Sequence, residues 1–397
     1  MAAEKATTKG VQRMSTSTTT ATGRAGVYES LGLTRVVNAD ARLTKLGGSL
    51  MPPEVIAAML DAASGYVDMY AFQERAGARL AELTRNEAAF ISAGAAAGLV
   101  ISTLACMVGT DLVALSRLME HGEARKDEVI IHTAHRIPYD PAIRAAGARP
   151  VNVGNALQTF DWELEAAITE RTAMILWVAG DHLRRGALPL EETVRIAHAR
   201  GVPVVVDAAA QLPPVESLWR FTREQGADLA VFSGGKDLRG PQASGLVVGR
   251  AALIDACRMQ GSPNQRLARP MKAGKEEMAG LLAAVERYLT LDHAAIIAES
   301  ERVIAGWVAA FDGLPGITAR RDFPNEAGQP TPRCLLLVDP AAAGIDAAGL
   351  RRRLFAGDPP VAAGEGSVPN SVALSPDTLE GADPAIVTRA ILAALGR

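Results

Sequence analysis

Cysteine is scarce in this chain: 397 residues hold three, Cys106, Cys257 and Cys334. They are widely spaced and form no CxxC pair, which argues against both a disulfide framework and a zinc site, so no metal is expected. Sparse unpaired thiols predict a reducing, cytoplasmic setting. An excess of one charge is also missing, since 41 Lys+Arg stand against 44 Asp+Glu for a net charge of -3. No basic block breaks that balance, so no nucleic-acid partner is expected; a small soluble molecule is. Nucleotide signatures are absent too, with no GxxxxGK[ST] and no GxGxxG after a strand. The N-terminus lacks the apolar core of a secretory signal. One uncharged run, Ala88 to Thr110, approaches the length of a membrane span. It is rich in Ala, Gly and Ser and is broken by Ser92-Ala93-Gly94. It therefore reads as a short strand followed by a buried helix, and no membrane partner is expected.

What the chain does have is alternation. From Glu87 to about Arg250, short apolar runs alternate with amphipathic stretches. Strands are expected at Ala88–Ile91, Val129–His132, Val151–Val153, Met174–Val178, Val204–Asp207, Leu229–Phe232 and Leu246–Val248. A helix is expected over Leu190–Ala199. Strand and helix in turn predict an α/β fold around a mostly parallel sheet. Earlier, Gly47-Gly48-Ser49 reads as a loop leading to a helix with proline in its first turn and Val55, Met59 and Ala62 on its buried face. Residues 1–26 are polar and low in complexity, and predict a flexible tail. Residues 27–275 are expected to form a large domain, with 27–60 partly packing on a smaller one. Glu276 to about Phe311 reads as one long bridging helix. Residues 276–397 as a whole predict that helix plus a smaller α+β C-terminal domain, with strands at Cys334–Val338 and Ser371–Leu374.

Three local features bear chemistry. Asp207 ends a fully apolar run, at the carboxyl end of a strand where open α/β sheets bind ligands. Lys236 follows Ser233-Gly234-Gly235 on a turn, which suits an amine acting as a nucleophile toward an aldehyde. Ser92-Ala93-Gly94-Ala95-Ala96 joins a strand to a helix, so its backbone N–H groups can close on a phosphate. Each has an ordinary alternative: a surface lysine, a capping carboxylate, a tight turn. Together they supply what pyridoxal phosphate needs, namely a lysine for the aldehyde, a carboxylate for the ring nitrogen and donors for the phosphate.

Asp207-Ala208-Ala209-Ala210-Gln211, Phe232-Ser233-Gly234-Gly235-Lys236 and Gly240-Pro241-Gln242 resemble the fold type I pyridoxal-phosphate enzymes, the aspartate aminotransferase-like transferases. Within them the chain is most similar to the branch holding L-seryl-tRNA selenium transferase and D-glucosaminate-6-phosphate ammonia lyase, and the similarity runs over roughly residues 27–395. The resemblance implies that Lys236 binds the cofactor and moves the α-proton, and that Asp207 pairs with the ring nitrogen. It implies that Ser92, Gly94, Ala95, Ala96 and Ser233 hold the phosphate. It implies too that His135 stacks on the ring, with Ala209 against the other face and Gln211 reaching the ring oxygen. Arg42 and Arg269 are candidates for a substrate carboxylate or phosphate, because arginine offers bidentate geometry. The chain departs from the family pattern at Asp40-Ala41-Arg42, where a glycine-containing Ala-Gly-Thr is usual. It departs again at Val361-Ala362-Ala363-Gly364, which lacks an arginine often found there.

The resemblance implies an enzyme, a lyase that performs α,β-elimination on an amino acid or amino sugar acid to give a 2-oxo acid and ammonia. Racemisation, transamination and β-replacement start from the same carbanion and stay open, as does a non-catalytic ligand-binding role. A selenium transferase acting on tRNA would call for an additional basic N-terminal domain, and residues 1–26 are too short and too polar to be one. A homodimer or larger assembly is expected, because the family's site lies between subunits.

Overall fold

The computed structural model describes residues 26–397 apart from residue 326. The expected tail, 1–26, thus lies outside the described residues save for its last position. Among the described residues twelve strands form two sheets. They are β1 Val37–Ala39, β2 Ala88–Ser92, β3 Glu128–His132, β4 Arg149–Val153, β5 Thr172–Val178 and β6 Val204–Asp207, then β7 Leu229–Ser233, β8 Gly245–Gly249, β9 Ile317–Asp322, β10 Arg333–Val338, β11 Val361–Glu365 and β12 Ser371–Leu374.

The larger sheet has the order β2-β8-β7-β6-β5-β3-β4. Its pairs from β4 through β7 are parallel and only β8 runs antiparallel, against both β2 and β7. β2, β3, β5, β6 and β8 are buried at every residue. That is why they read as unbroken β-branched and apolar runs instead of alternating ones. Two separate apolar clusters cover the sheet. Ile91, Ile130, Ile175, Val206 and Phe232 belong to one; Phe90, Ile131, Leu176, Val205 and Val231 belong to the other. Neighbouring residues of each strand fall in opposite clusters, as strand geometry requires.

The uncharged run is resolved into β2 and the helix Ala95–Val108, buried from Gly98 onward apart from Cys106. Among the described residues no single helix is long and apolar enough to cross a membrane; one sharply bent pair, Ala95–Val108 with Leu112–His121, passes by length and composition together.

The smaller sheet has the order β1-β11-β12-β10-β9, with a core that includes Trp307, Phe311, Leu336, Val372 and Ile391. β1 joins it in parallel with β11, Val37 opposite Val361. So an N-terminal segment belongs to the C-terminal sheet, and Val361–Gly364, where the chain departs from the family pattern, is strand. The expected single helix over 276–311 is two, Lys275–Thr290 and His293–Phe311. Leu291 turns extended, and the Asp292 side chain accepts from the Ala295 N–H at 2.9 Å, so an N-cap restarts the second helix.

Candidate active site

Two strand ends and one helix start converge on a cavity of about 230 Å³. β6 delivers Asp207 and, just beyond it, Ala209; β7 delivers Ser233 and the turn carrying Lys236; β2 leads into Gly94, Ala95 and Ala96. All of these line the cavity, together with Arg42, Thr44, Tyr139 and Gln242.

The helix Ala95–Val108 begins at Gly94, whose φ of 115° is open to glycine and strained for other residues, and no side chain caps it. Its first N–H groups are left to whatever enters the cavity, at the positive end of a helix dipole. The turn is held from behind. A Cβ on Gly245 would lie 2.4 Å from the Gly94 carbonyl carbon, so β8 can pass this close only as glycine. Ser92 Oγ lies 2.9 Å from the Gly94 carbonyl and 3.3 Å from that of Gly245, donating within the turn. Ser92 is buried and absent from the cavity wall, so it shapes the cradle and the backbone forms it.

Lys236 is fastened through its backbone. Ser49 Oγ lies 3.0 Å from the Gly235 carbonyl and 2.5 Å from that of Lys236. Burial lowers the Lys236 amine below the usual lysine range, while Asp207 and Asp237 pull it back. Burial likewise raises the Asp207 carboxyl, against the Ala209 N–H, which it accepts at 3.1 Å, and Lys236. A buried amine poised toward its free base and a buried, under-compensated carboxylate therefore face one void.

Other sequence candidates lie elsewhere. His135 is fully buried and presents no face to the cavity. Its Nδ1 accepts the Val178 N–H at 3.1 Å, and its ring stands edge-on to His132 and Trp177. Burial, aided by His132, takes its pKa down to about 3, so it is neutral. Gln211 donates to the carbonyl of Ala179 at 3.1 Å and lines a separate cavity of about 590 Å³. Arg269 sits half-buried in the turn Arg269–Met271 and lines neither cavity.

Arg42 does reach the site, but not as a free anion receptor. Its guanidinium bonds the Asp377 carboxylate, donates to the Asp377 carbonyl at 2.9 Å and lies 2.9 Å from Asp237. Burial opposes its charge, yet Asp237 and then Asp377 outweigh that and raise its pKa. The Asp237 carboxyl is pushed up to about 6 by burial, with Asp377 adding to the rise. Neither aspartate was legible beforehand, because Asp377 approaches only through the second sheet. Arg42, Lys236 and Asp237 also line a second chamber of about 370 Å³, with Asp40, Asp377 and Gly364 on its wall.

The arrangement fits pyridoxal phosphate. An uncapped helix start offers donors for a phosphate, and a buried carboxylate of raised pKa would gain a partner in a protonated ring nitrogen. Lys236 opens on the same space.

Comparison with known proteins agrees with that chemistry. Residues 36–299 match the family model described as L-seryl-tRNA selenium transferase. The chain is 40% identical over 341 residues to a 5'-C-glycyluridine monooxygenase-decarboxylase from Streptomyces, covering 84% of this chain and 83% of the relative. It is 34% identical over 337 residues to the D-glucosaminate-6-phosphate ammonia lyase of Salmonella typhimurium, covering 84% and 87%. A solved structure of D-glucosaminate-6-phosphate ammonia-lyase superposes with a TM-score of 0.81 at 30% identity, over 94% of this chain and 98% of that one.

Proposed function

The chain belongs to the L-seryl-tRNA selenium transferase family, and on that premise we propose that it is a lyase releasing ammonia from an amino acid or amino sugar acid. It is a fold type I enzyme and its cofactor is pyridoxal phosphate. The observation that carries the reading is that Lys236 and Asp207 line one cavity beneath the uncapped start of the helix Ala95–Val108.

Pyridoxal phosphate supplies an aldehyde that captures an amine and a ring that takes up carbanion charge. The residues supply the rest. The backbone N–H groups at Ala95 and Ala96 would bind the phosphate, with Ser233 adding its hydroxyl. Asp207 would keep the ring nitrogen protonated. Lys236 would anchor the cofactor, and its amine, once freed by the substrate's own, would be placed to take the proton from the substrate's α-carbon. A β-hydroxyl then leaves as water, and hydrolysis of the unsaturated amine yields the 2-oxo acid and ammonia. Ala209 would pack on the ring, whereas His135 and Gln211 act from behind the cavity wall, supporting β5 and the turn after β6.

Elimination is tested by incubating the cofactor-loaded protein with β-hydroxy amino acids and amino sugar acids and measuring ammonia and 2-oxo acid together. The Streptomyces relative, whose name joins oxygenation to decarboxylation, favours a second outcome at the same site, loss of the carboxylate as carbon dioxide. Oxygen uptake and carbon dioxide release without the elimination products would select it.

The active form is a cytoplasmic homodimer. Leu50, Ile56, Leu60, Tyr66, Val67 and Tyr70 leave large apolar side chains exposed around the helix Pro53–Ala63, a surface suited to a second copy. Arg269 then serves the partner's site. Light scattering that gives a mass near 41.6 kDa would defeat the dimer. The three cysteines are free, as a reducing compartment leaves them. We divide the chain into two domains, 27–275 and 276–397; the presence of β2–β8 in one sheet and β9–β12 in the other, with β1 crossing over, supports this reading.

A further inference from the structure

The second chamber has an unusual charge inventory for a family that includes an enzyme named for a phosphorylated substrate. Arg42 and Lys236 line both this chamber and the cofactor cavity and so mark their junction. Arg42 is already shared by Asp237 and Asp377, both chamber residues. Away from the junction, the charged lining groups among the described residues are Asp40, Glu365 and Arg333. Arg333 is bonded to Asp322 at 2.6 Å, Asp40 has the exposed Lys45 3.4 Å away, and the largely exposed Glu365 has Arg351 at 3.3 Å. What remains to greet a ligand is carboxylate, amide and hydroxyl: Asn325, Gln329 and Thr331 line the chamber, as do Ser367 and Ser375, whose side chains show no hydrogen bond among the described residues.

An incoming phosphate dianion would meet like charge and no uncommitted guanidinium. Repulsion of that kind is how sites reject close analogues. A neutral hydroxyl-bearing group would instead donate to the carboxylates and exchange hydrogen bonds with the serines. We infer that the substrate's side chain, beyond its amine-bearing carbon, is an uncharged polyhydroxylated group such as an unphosphorylated sugar. The chamber selects against its phosphate ester. This deepens the lyase reading and rests on the chamber being the substrate's.

The experiment titrates the cofactor-loaded protein with two matched pairs, D-glucosaminate against its 6-phosphate and serine against O-phosphoserine, by calorimetry and by the cofactor's visible spectrum. The neutral member of each pair is expected to bind at least about tenfold more tightly. The double variant Asp237→Asn, Asp377→Asn, which frees Arg42, is expected to narrow that ratio to about threefold or less. A phosphorylated member binding as tightly as its neutral partner overturns the inference, and so does absence of binding by all four. Failure of the lyase reading looks different: the calorimetric preference persists, but the ligands leave the visible spectrum unchanged and no ammonia is released.

Discussion

Arg42 and Asp377 lie 335 positions apart in the chain and are joined twice, guanidinium to carboxylate and guanidinium to main-chain carbonyl. With Asp237 on the other side of the guanidinium, this contact ties the segment after β1, the lysine turn and the loop after β12 into one buried ionic cluster. Arg42→Met should therefore cost about 3–5 kcal/mol at pH 7, because it strands two buried carboxylates. The cost should shrink toward pH 5, where Asp237, already titrating near 6 with Arg42 present, takes up a proton. Urea unfolding at the two pH values checks both statements.

Gly245 is the pinch point of the phosphate cradle. Gly245→Ala places a carbon 2.4 Å from the backbone at Gly94 and should push the turn inward. A loss of about 1–3 kcal/mol in stability is expected. Weaker retention of the cofactor on dialysis should accompany it, measured as phosphate-ester content per chain.

Asp207→Asn removes the charge that favours a protonated ring nitrogen and keeps the shape. Turnover should fall by about 100-fold or more, the scale of one positioned proton-handling group. The lysine-linked cofactor should remain visible in the absorbance spectrum, which separates this effect from lost binding.

His132 and His135 give the fold its acid sensitivity. Burial lowers them to about 4 and about 3 from an unfolded value of 6.5. The folded chain thus binds fewer protons than the unfolded one across that interval. Stability is fully present above pH 6.5 and is lost as pH falls toward 4, at about 1.4 kcal/mol per pH unit for each histidine. Both ring nitrogens of His132 are buried without partners. His132→Leu should then flatten the profile by about one proton, read as Tm against pH, and be neutral or stabilising near pH 7.

The large sheet could be read from the chain because β2, β3 and β5 through β8 are buried on both faces, which forces continuous apolar runs. β9 was hidden by its exposed Thr318, Arg320 and Arg321 alternating with buried Ile317 and Ala319. β11 was hidden by Ala-Ala-Gly, which carries no strand preference. The break at Leu291 has a signal, Asp292 ahead of a helical run, that helical periodicity on both sides masked. At the site, Asp207, Ala209, Ser233 and Lys236 were legible because they end strands or turns of one sheet. Which way His135, Gln211 and Ser92 point was not, since their orientation depends on neighbours at β5 and β8. The Arg42–Asp237–Asp377 cluster depends on contact between two sheets and has no local signature.

The proposed chemistry depends above all on Lys236 as the cofactor's anchor. Borohydride reduction of the protein loaded with pyridoxal phosphate, followed by peptide mass mapping, tests it directly. The cofactor's mass should appear on the peptide containing Lys236 and be absent from the Lys236→Ala variant. Label on another lysine, or none on a protein that is folded and loaded, would contradict it.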